Sequence, residues 1–183
     1  MKRVYVREEV CIGCKLCEIH CVVQHSRSKD IIKAFKKEFP RPLARVTVEE
    51  DGPLSFGFQC RHCSEPACLY ACVSGAMQRD ERGALVVDEA KCIGCWTCIL
   101  ACPYGAISRG GGQDAHGGGQ DAHGGGQDAH GGGQERHFAS KCDLCPGTEV
   151  PACVANCPNE ALKLVEEDTS AVLGGSVGGR VAS

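Results

Sequence analysis

Apolar residues along this chain come in short bursts, not in long periodic stretches. "KRVYV" at residues 2–6 alternates polar and apolar positions and predicts a strand, "RVTVE" at 45–49 repeats the pattern, and "ALKLVEE" after Cys157 predicts a closing strand. Between them, "GAMQRDERGALVVDE" predicts a hairpin that turns at Asp80–Gly83. Ile31, Ile32, Phe35 and Phe39 predict one apolar side of a short helix that stops at Pro40. The apolar runs are too short to span a bilayer. The expected fold class is α+β and loop-rich, with short β-ribbons and short helices. Three Tyr, five Phe and one Trp are few for a chain of 183 residues, so bound inorganic matter is expected to fill part of the interior.

Cysteine changes the picture most. The chain holds 16, an even number several times ordinary usage, which leaves a disulfide framework or a metal framework. A disulfide protein is expected to be secreted, yet "MKRVYVREEVC" has neither an apolar h-region nor a small-residue cleavage site, and there is no twin-arginine pair. The expectation is a reducing cytoplasm and a metal framework. The cysteines form four quartets with none left over: Cys11, Cys14, Cys17 and Cys21; Cys60, Cys63, Cys68 and Cys72; Cys92, Cys95, Cys98 and Cys102; Cys142, Cys145, Cys153 and Cys157. Every quartet opens C-x2-C and closes C-x3-C, an internal repeat of one cofactor-binding unit. The echo continues past the last cysteine in "CVSGAM", "CPYGAI" and "CPNEAL", whereas the first quartet departs with "CVVQHS".

Two-residue gaps in a tight loop let three sulfurs converge on one inorganic cluster. The following three-residue gap is about one helical turn, which carries the fourth sulfur roughly 6 Å along the axis and away from that site. The run C-x2-C-x2-C-x3-C-P is the bacterial ferredoxin pattern, in which the fourth cysteine ligates the other cluster of a pair. Cys102 is therefore expected to complete a neighbouring cluster. Structural zinc is the alternative, favoured by an isolated C-x2-C pair. The C-x2-C-x2-C core of quartets one and three, and the proline after Cys102 and Cys157, point to iron–sulfur clusters instead.

Charge follows from that choice. The formal net charge of −3 counts cysteines as neutral; four oxidised clusters with their thiolates would take it to about −11. Lys15, Lys91 and Lys141, inside or just before quartets, are candidates to compensate it. Ile12, Ile93 and Leu144 are expected to shield the clusters, as is Trp96, and His62 in "CRHC" is expected to be a hydrogen-bonding neighbour and not a ligand. Residues 27–45 carry seven basic residues against two acidic ones. They read as a solvated helix packed on the clusters, with a docking surface for an acidic partner as the alternative. No base-reading motif or aromatic-interleaved basic face supports nucleic-acid binding.

Residues 110–137 repeat "GGGQDAH" three times and end "GGGQERH". The period is seven, but Ala is the sole apolar residue in it, which excludes a coiled coil. Half of the 24 glycines lie here. A glycine-rich coil of this length reaches roughly 30 Å and adds little closure cost, so a tolerated flexible insertion is expected. Metal capture by Asp114, Asp121, Asp128, His116, His123, His130 and His137 is the sharper alternative. The tail, 168–183, is expected to be flexible as well.

The motifs "CIGCKLCEIHC", "CRHCSEPACLYAC", "CIGCWTCILACPYGAI" and "KCDLC", in this order, resemble the four-cluster ferredoxin-type electron-transfer subunits of the dimethyl sulfoxide reductase, formate dehydrogenase and hydrogenase group, most closely the iron–sulfur proteins associated with carbon monoxide dehydrogenase. The resemblance covers residues 1–165 apart from the glycine insert. It implies four [4Fe–4S] clusters in tandem bi-cluster lobes, with quartet one paired to four and two to three. The implied ligand sets are Cys11, Cys14, Cys17 and Cys157; Cys142, Cys145, Cys153 and Cys21; Cys60, Cys63, Cys68 and Cys102; and Cys92, Cys95, Cys98 and Cys72. The implied lobes are 1–59 with 138–167, and 60–109. It further implies a one-electron relay between a catalytic oxidoreductase subunit and an acceptor, the partner being a carbon monoxide dehydrogenase, a molybdenum or tungsten enzyme, or a hydrogenase. No catalytic residue and no membrane insertion of this chain is expected. The sequence offers no dinucleotide-binding glycine motif, P-loop or nucleophile constellation for an enzyme in its own right.

Overall fold

The computed structural model describes residues 2–111 and 137–166. Most of the repeat insert and the C-terminal tail therefore lie outside the described residues, as do the Asp and His positions of the repeat other than His137. The elements run in chain order β1 (Lys2–Val6), a 3-10 turn (Glu8–Val10), α1 (Leu16–His25), α2 (Ile31–Lys36), β2 (Val46–Asp51), β3 (Leu54–Gln59), α3 (Ala67–Tyr70), β4 (Met77–Arg79), β5 (Leu85–Val87), α4 (Thr97–Ala101), β6 (Ser108–Gly110), β7 (Phe138–Ser140), α5 (Ala152–Ala155) and β8 (Leu162–Glu166). This is a small, loop-rich, ferredoxin-like α+β arrangement.

All strands pair as two-stranded antiparallel ribbons. β1 and β8 join the two ends of the described chain, with Val4 opposite Leu164. The expected hairpin is β4–β5: Asp80 N donates to Ala84 O at 2.8 Å and Gly83 N to Asp80 O at 2.9 Å. The carboxylate of Asp80 also accepts from the Arg82 and Ala84 amides at 3.0 and 2.8 Å, fixing the turn with its own side chain.

Two ribbons lie beyond the sequence reading. β3 follows a turn at Gly52 and contains Gly57, which weakens a strand pattern. A Cβ at Gly57 would stand 3.1 Å from Leu162 Cδ2, so the missing side chain is what lets β8 pack on the β2–β3 ribbon. β6 and β7 bracket the insert, with Gly110 opposite Phe138. The insert thus leaves and re-enters the fold at neighbouring points of one ribbon.

The segment after α1 departs from expectation. The helix ends at Lys36, and Ile31, Ile32 and Phe39 are exposed while Ala34 is fully buried. Polar contacts hold this segment instead of an apolar stripe. Asp30 caps the helix by accepting from Lys33 N at 2.8 Å, and buried Glu38 accepts from the Arg27 and Ser28 amides at 2.9 and 2.8 Å. Phe35 is covered by the Arg41 guanidinium, 4.9 Å from its ring centre.

Buried apolar side chains form two clusters. One holds Val4, Val46, Val48, Leu144 and Leu162 with Cys17, Cys21, Cys60, Cys142 and Cys153. The other holds Met77, Leu85, Ile107 and Ala139 with Cys68 and Cys98. Cysteine supplies much of each interior, and large aromatic rings supply none of it. Among the described residues no helix is long and apolar enough to cross a membrane.

Candidate metal centres

Each quartet is built from a loop that enters a short helix. In quartets one and three the loop turns through a glycine, Gly13 at φ +64° and Gly94 at φ +67°, and then through a left-handed residue, Lys15 or Trp96, directly before the helix. Gly94 has a second reason to lack a side chain, since a Cβ there would stand 3.1 Å from His137 O. In quartet two the left-handed position falls on His62, and in quartet four on Leu144 and Cys145. The third cysteine sits in the first turn of its helix and is buried in all four cases: Cys17, Cys68, Cys98 and Cys153. In quartets two, three and four the last cysteine follows the helix end, whereas Cys21 lies within the longer α1.

None of the sixteen cysteines is in a disulfide. Their grouping crosses the quartets. One cleft is lined by Cys11, Cys14 and Cys17 together with Cys157. A second is lined by Cys92, Cys95 and Cys98 with Cys72, and half-buried Trp96 forms part of its wall. A third, of about 410 Å³, is lined by Cys60, Cys63 and Cys68 with Cys102. Cys142, Cys145 and Cys153 are buried, and the charge of Cys21 acts on all three. α1 and α5, which carry Cys21 and Cys153, pack against each other.

Burial pushes the Cys17 and Cys68 thiols up to about 11 and the Cys142 thiol up to about 12; Cys153 is raised further for the same reason. Gathered thiolates of this kind repel one another and need a cation at their centre. Backbone amides already point at the sulfurs: Arg45 N at Cys21 Sγ (3.2 Å), Met77 N at Cys72 Sγ (3.3 Å), Ala161 N at Cys157 Sγ (3.1 Å) and His62 N at Cys60 Sγ (3.4 Å). Soft sulfur donors met by inward amides fit an iron–sulfur cluster.

Asp143 organises the surroundings of Cys21. It accepts from Arg45 Nη1 at 2.5 Å, from His25 Nε2 at 3.1 Å and from Cys145 N at 3.0 Å. Burial alone would lower the His25 pKa, but its bonds to Asp143 and Cys21 raise it to about 9; burial would raise that of Asp143, but His25 and Arg45 hold it near 2. The ligand atoms of His25, Asp143 and Cys145 lie within 4.8 Å of one another, but the imidazolium–carboxylate pair accounts for that proximity. The sequence reading passed over this triad, because His25 and Asp143 are 118 residues apart and nothing in "CVVQHS" or "KCDLC" shows that the two meet.

Of the expected shields, Ile12 and Ile93 stand at the rims of two of these clefts. Both are largely exposed, at 62% and 67%; Leu144, at 4%, is buried. Lys15 and Lys91 are exposed and pair with Glu50 and Asp88, at 3.3 and 3.2 Å. Lys141 is buried. His62 is fully buried and accepts from Leu85 N at 3.0 Å through Nδ1. Trp96 stacks against Arg109, 5.0 Å from its ring centre.

Sulfur-only donor sets in a small ribbon-and-loop α+β fold define an iron–sulfur protein. Comparison with known proteins agrees: the 4Fe-4S dicluster domain family matches residues 54–115, a span that includes quartets two and three. The chain is similar to an iron–sulfur protein of Rhodospirillum rubrum, 32% identical over 171 residues that cover 90% of this chain and 82% of that one. It is also 35% identical over 159 residues to the electron transport protein HydN of Escherichia coli (strain K12), covering 86% of this chain and 84% of HydN. A third relative, the thiosulfate reductase electron transfer subunit PhsB of Salmonella typhi, is 30% identical over 180 residues, covering 90% of this chain and 76% of PhsB. The chain belongs to the family of ferredoxin-type [4Fe–4S] electron-transfer proteins.

Proposed function

We propose that this chain carries four [4Fe–4S] clusters and relays single electrons between a catalytic oxidoreductase subunit and an acceptor. The observation that carries the reading is the crossing of the thiols: Cys102 joins the cleft of Cys60, Cys63 and Cys68, Cys72 that of Cys92, Cys95 and Cys98, and Cys157 that of Cys11, Cys14 and Cys17. The fourth set is Cys142, Cys145, Cys153 and Cys21. Crossed ligation of this kind ties two clusters into one lobe. The proposed lobes are 1–59 with 138–167, holding quartets one and four, and 60–109, holding quartets two and three.

When bound, each cluster accepts and returns one electron at a potential set by its hydrogen bonds, charge and burial. The chain's own residues hold the sulfurs, exclude water with Leu85, Ile107 and Leu162, and aim amides at the thiolates. Sixteen thiolates complete sixteen iron corners, so the proposed sets leave no iron open to substrate. Substrate chemistry then belongs to the partner, a carbon monoxide dehydrogenase, a molybdenum or tungsten enzyme, or a hydrogenase, and the proposed location is the cytoplasm. Cys14 and Cys95 are exposed, as are the neighbouring Ile12 and Ile93, which gives two places where a partner could approach a cluster. EPR on anaerobically purified, stepwise-reduced protein tests this reading. Four one-electron centres support it; a colourless protein loaded with zinc and silent on reduction contradicts it.

A further inference from the structure

Lys141 is 3% exposed, and among the described residues no carboxylate pairs with it. Its Nζ donates to Leu85 O and, at 2.8 Å, to Cys142 O. A buried ammonium with no carboxylate beside it is costly, since an ion taken out of water keeps its place only against opposite charge. Cysteine sulfur could supply that charge. Leu85, whose carbonyl takes the Lys141 donor, lines the cleft of Cys60, Cys63, Cys68 and Cys102, and the other carbonyl it reaches is that of Cys142 itself. Cys60 and Cys68 belong to one proposed cluster and Cys142 to another.

The same strand residue holds a second group at this place. Leu85 donates its N–H to His62 Nδ1 while its carbonyl accepts from Lys141. With Nδ1 accepting, the proton of the neutral ring is on Nε2, and that atom is buried without a partner. A buried N–H with nothing to donate to is rare and calls for an acceptor that cluster sulfur would provide. The cation and the orphan donor thus meet where a residue preceding quartet four reaches across to quartet two.

We infer that Lys141 is a positioning residue that stabilises the reduced state of the two clusters flanking it, those on Cys60, Cys63, Cys68 and Cys102 and on Cys142, Cys145, Cys153 and Cys21, and so sets the potential at the junction between the proposed lobes. The inference rests on the four-cluster reading. A cluster with four thiolates goes from about 2− to 3− on taking up one electron. A fixed positive charge in a dry site favours the more negative state, whereas Lys15 and Lys91, exposed and screened, do little for their own clusters.

The test is EPR-monitored redox titration of wild type, K141Q and K141R, with iron and acid-labile sulfide counted on each preparation. The expected result in K141Q is an unchanged iron count and two centres harder to reduce, by tenfold or more in the reduction equilibrium, which for one electron is 59 mV per tenfold. The other two centres stay within twofold, and K141R recovers most of the shift. Loss of the two clusters in K141Q but not in K141R also supports a charge role. Intact clusters with all potentials unmoved, equal shifts of all four centres, or loss of clusters in both variants would overturn the inference. Failure of the underlying reading is visible separately, as wild-type protein without iron or sulfide.

Discussion

Cys102 closes its own motif in sequence and faces another's thiols in space. In the proposed ligation that single side chain decides which cluster it completes. Replacing it with Ser is expected to remove or destabilise the centre held by Cys60, Cys63 and Cys68 while sparing the one on Cys92, Cys95 and Cys98; EPR of the reduced variant reads which is lost, and the reverse outcome contradicts crossed ligation. Asp143 carries a comparable burden without supplying a sulfur. Its replacement by Ala leaves the His25 imidazolium and the Arg45 guanidinium, both largely buried, without their counter-charge. The expected cost is about 3 kcal/mol of stability, measured as a lower temperature for loss of the visible cluster absorbance. An unchanged temperature would show that the triad contributes nothing to holding Cys21 and Cys145. That three cysteines of one C-x2-C-x2-C loop converge was legible, because such spacing is itself geometry; which quartet pairs with which rests on the resemblance and stands as a proposal. The role of Asp143 was not, because burial and distant partners decide it; Lys141 was a charge-compensating candidate beside Lys15 and Lys91, and burial is what sets it apart from them.

At the scale of elements, the four strand predictions with clear alternation, β1, β2, β4–β5 and β8, correspond to strands in the fold. β3 was hidden by Gly57, and β6 and β7 by their three-residue length and the long insert between them. α2 was anticipated, but its exposed face was not: the sequence shows that Ile31 and Ile32 are apolar, not that Ala34 and Glu38 are the residues that dock. Gly57 offers a direct check on how the ribbons pack. Gly57→Ala places a methyl 3.1 Å from Leu162 Cδ2 and is expected to cost about 1–3 kcal/mol through overpacking. Leu162→Val in the same chain should recover part of that loss, giving a coupling energy of about 1 kcal/mol in a double-mutant cycle. Strictly additive costs would mean that the two residues do not meet.

The whole molecule is organised by what it binds. Its two buried clusters are rich in cysteine and poor in large side chains, so the inorganic centres are expected to be a condition of folding and not an addition to a finished core. The insert tests independence at this scale. Because Gly110 pairs with Phe138, removing residues 112–136 leaves Gly111 and His137 as a two-residue hairpin loop, with Gly111 already at φ +76°. The shortened protein is expected to keep its iron content and its spectrum; loss of clusters would give the repeat a part in holding them. The most direct measurement of the central claim is the count of iron, acid-labile sulfide and zinc per chain on anaerobically purified protein. Four cubane clusters predict about sixteen iron and about sixteen sulfide with no stoichiometric zinc; about four zinc and no sulfide would contradict the account.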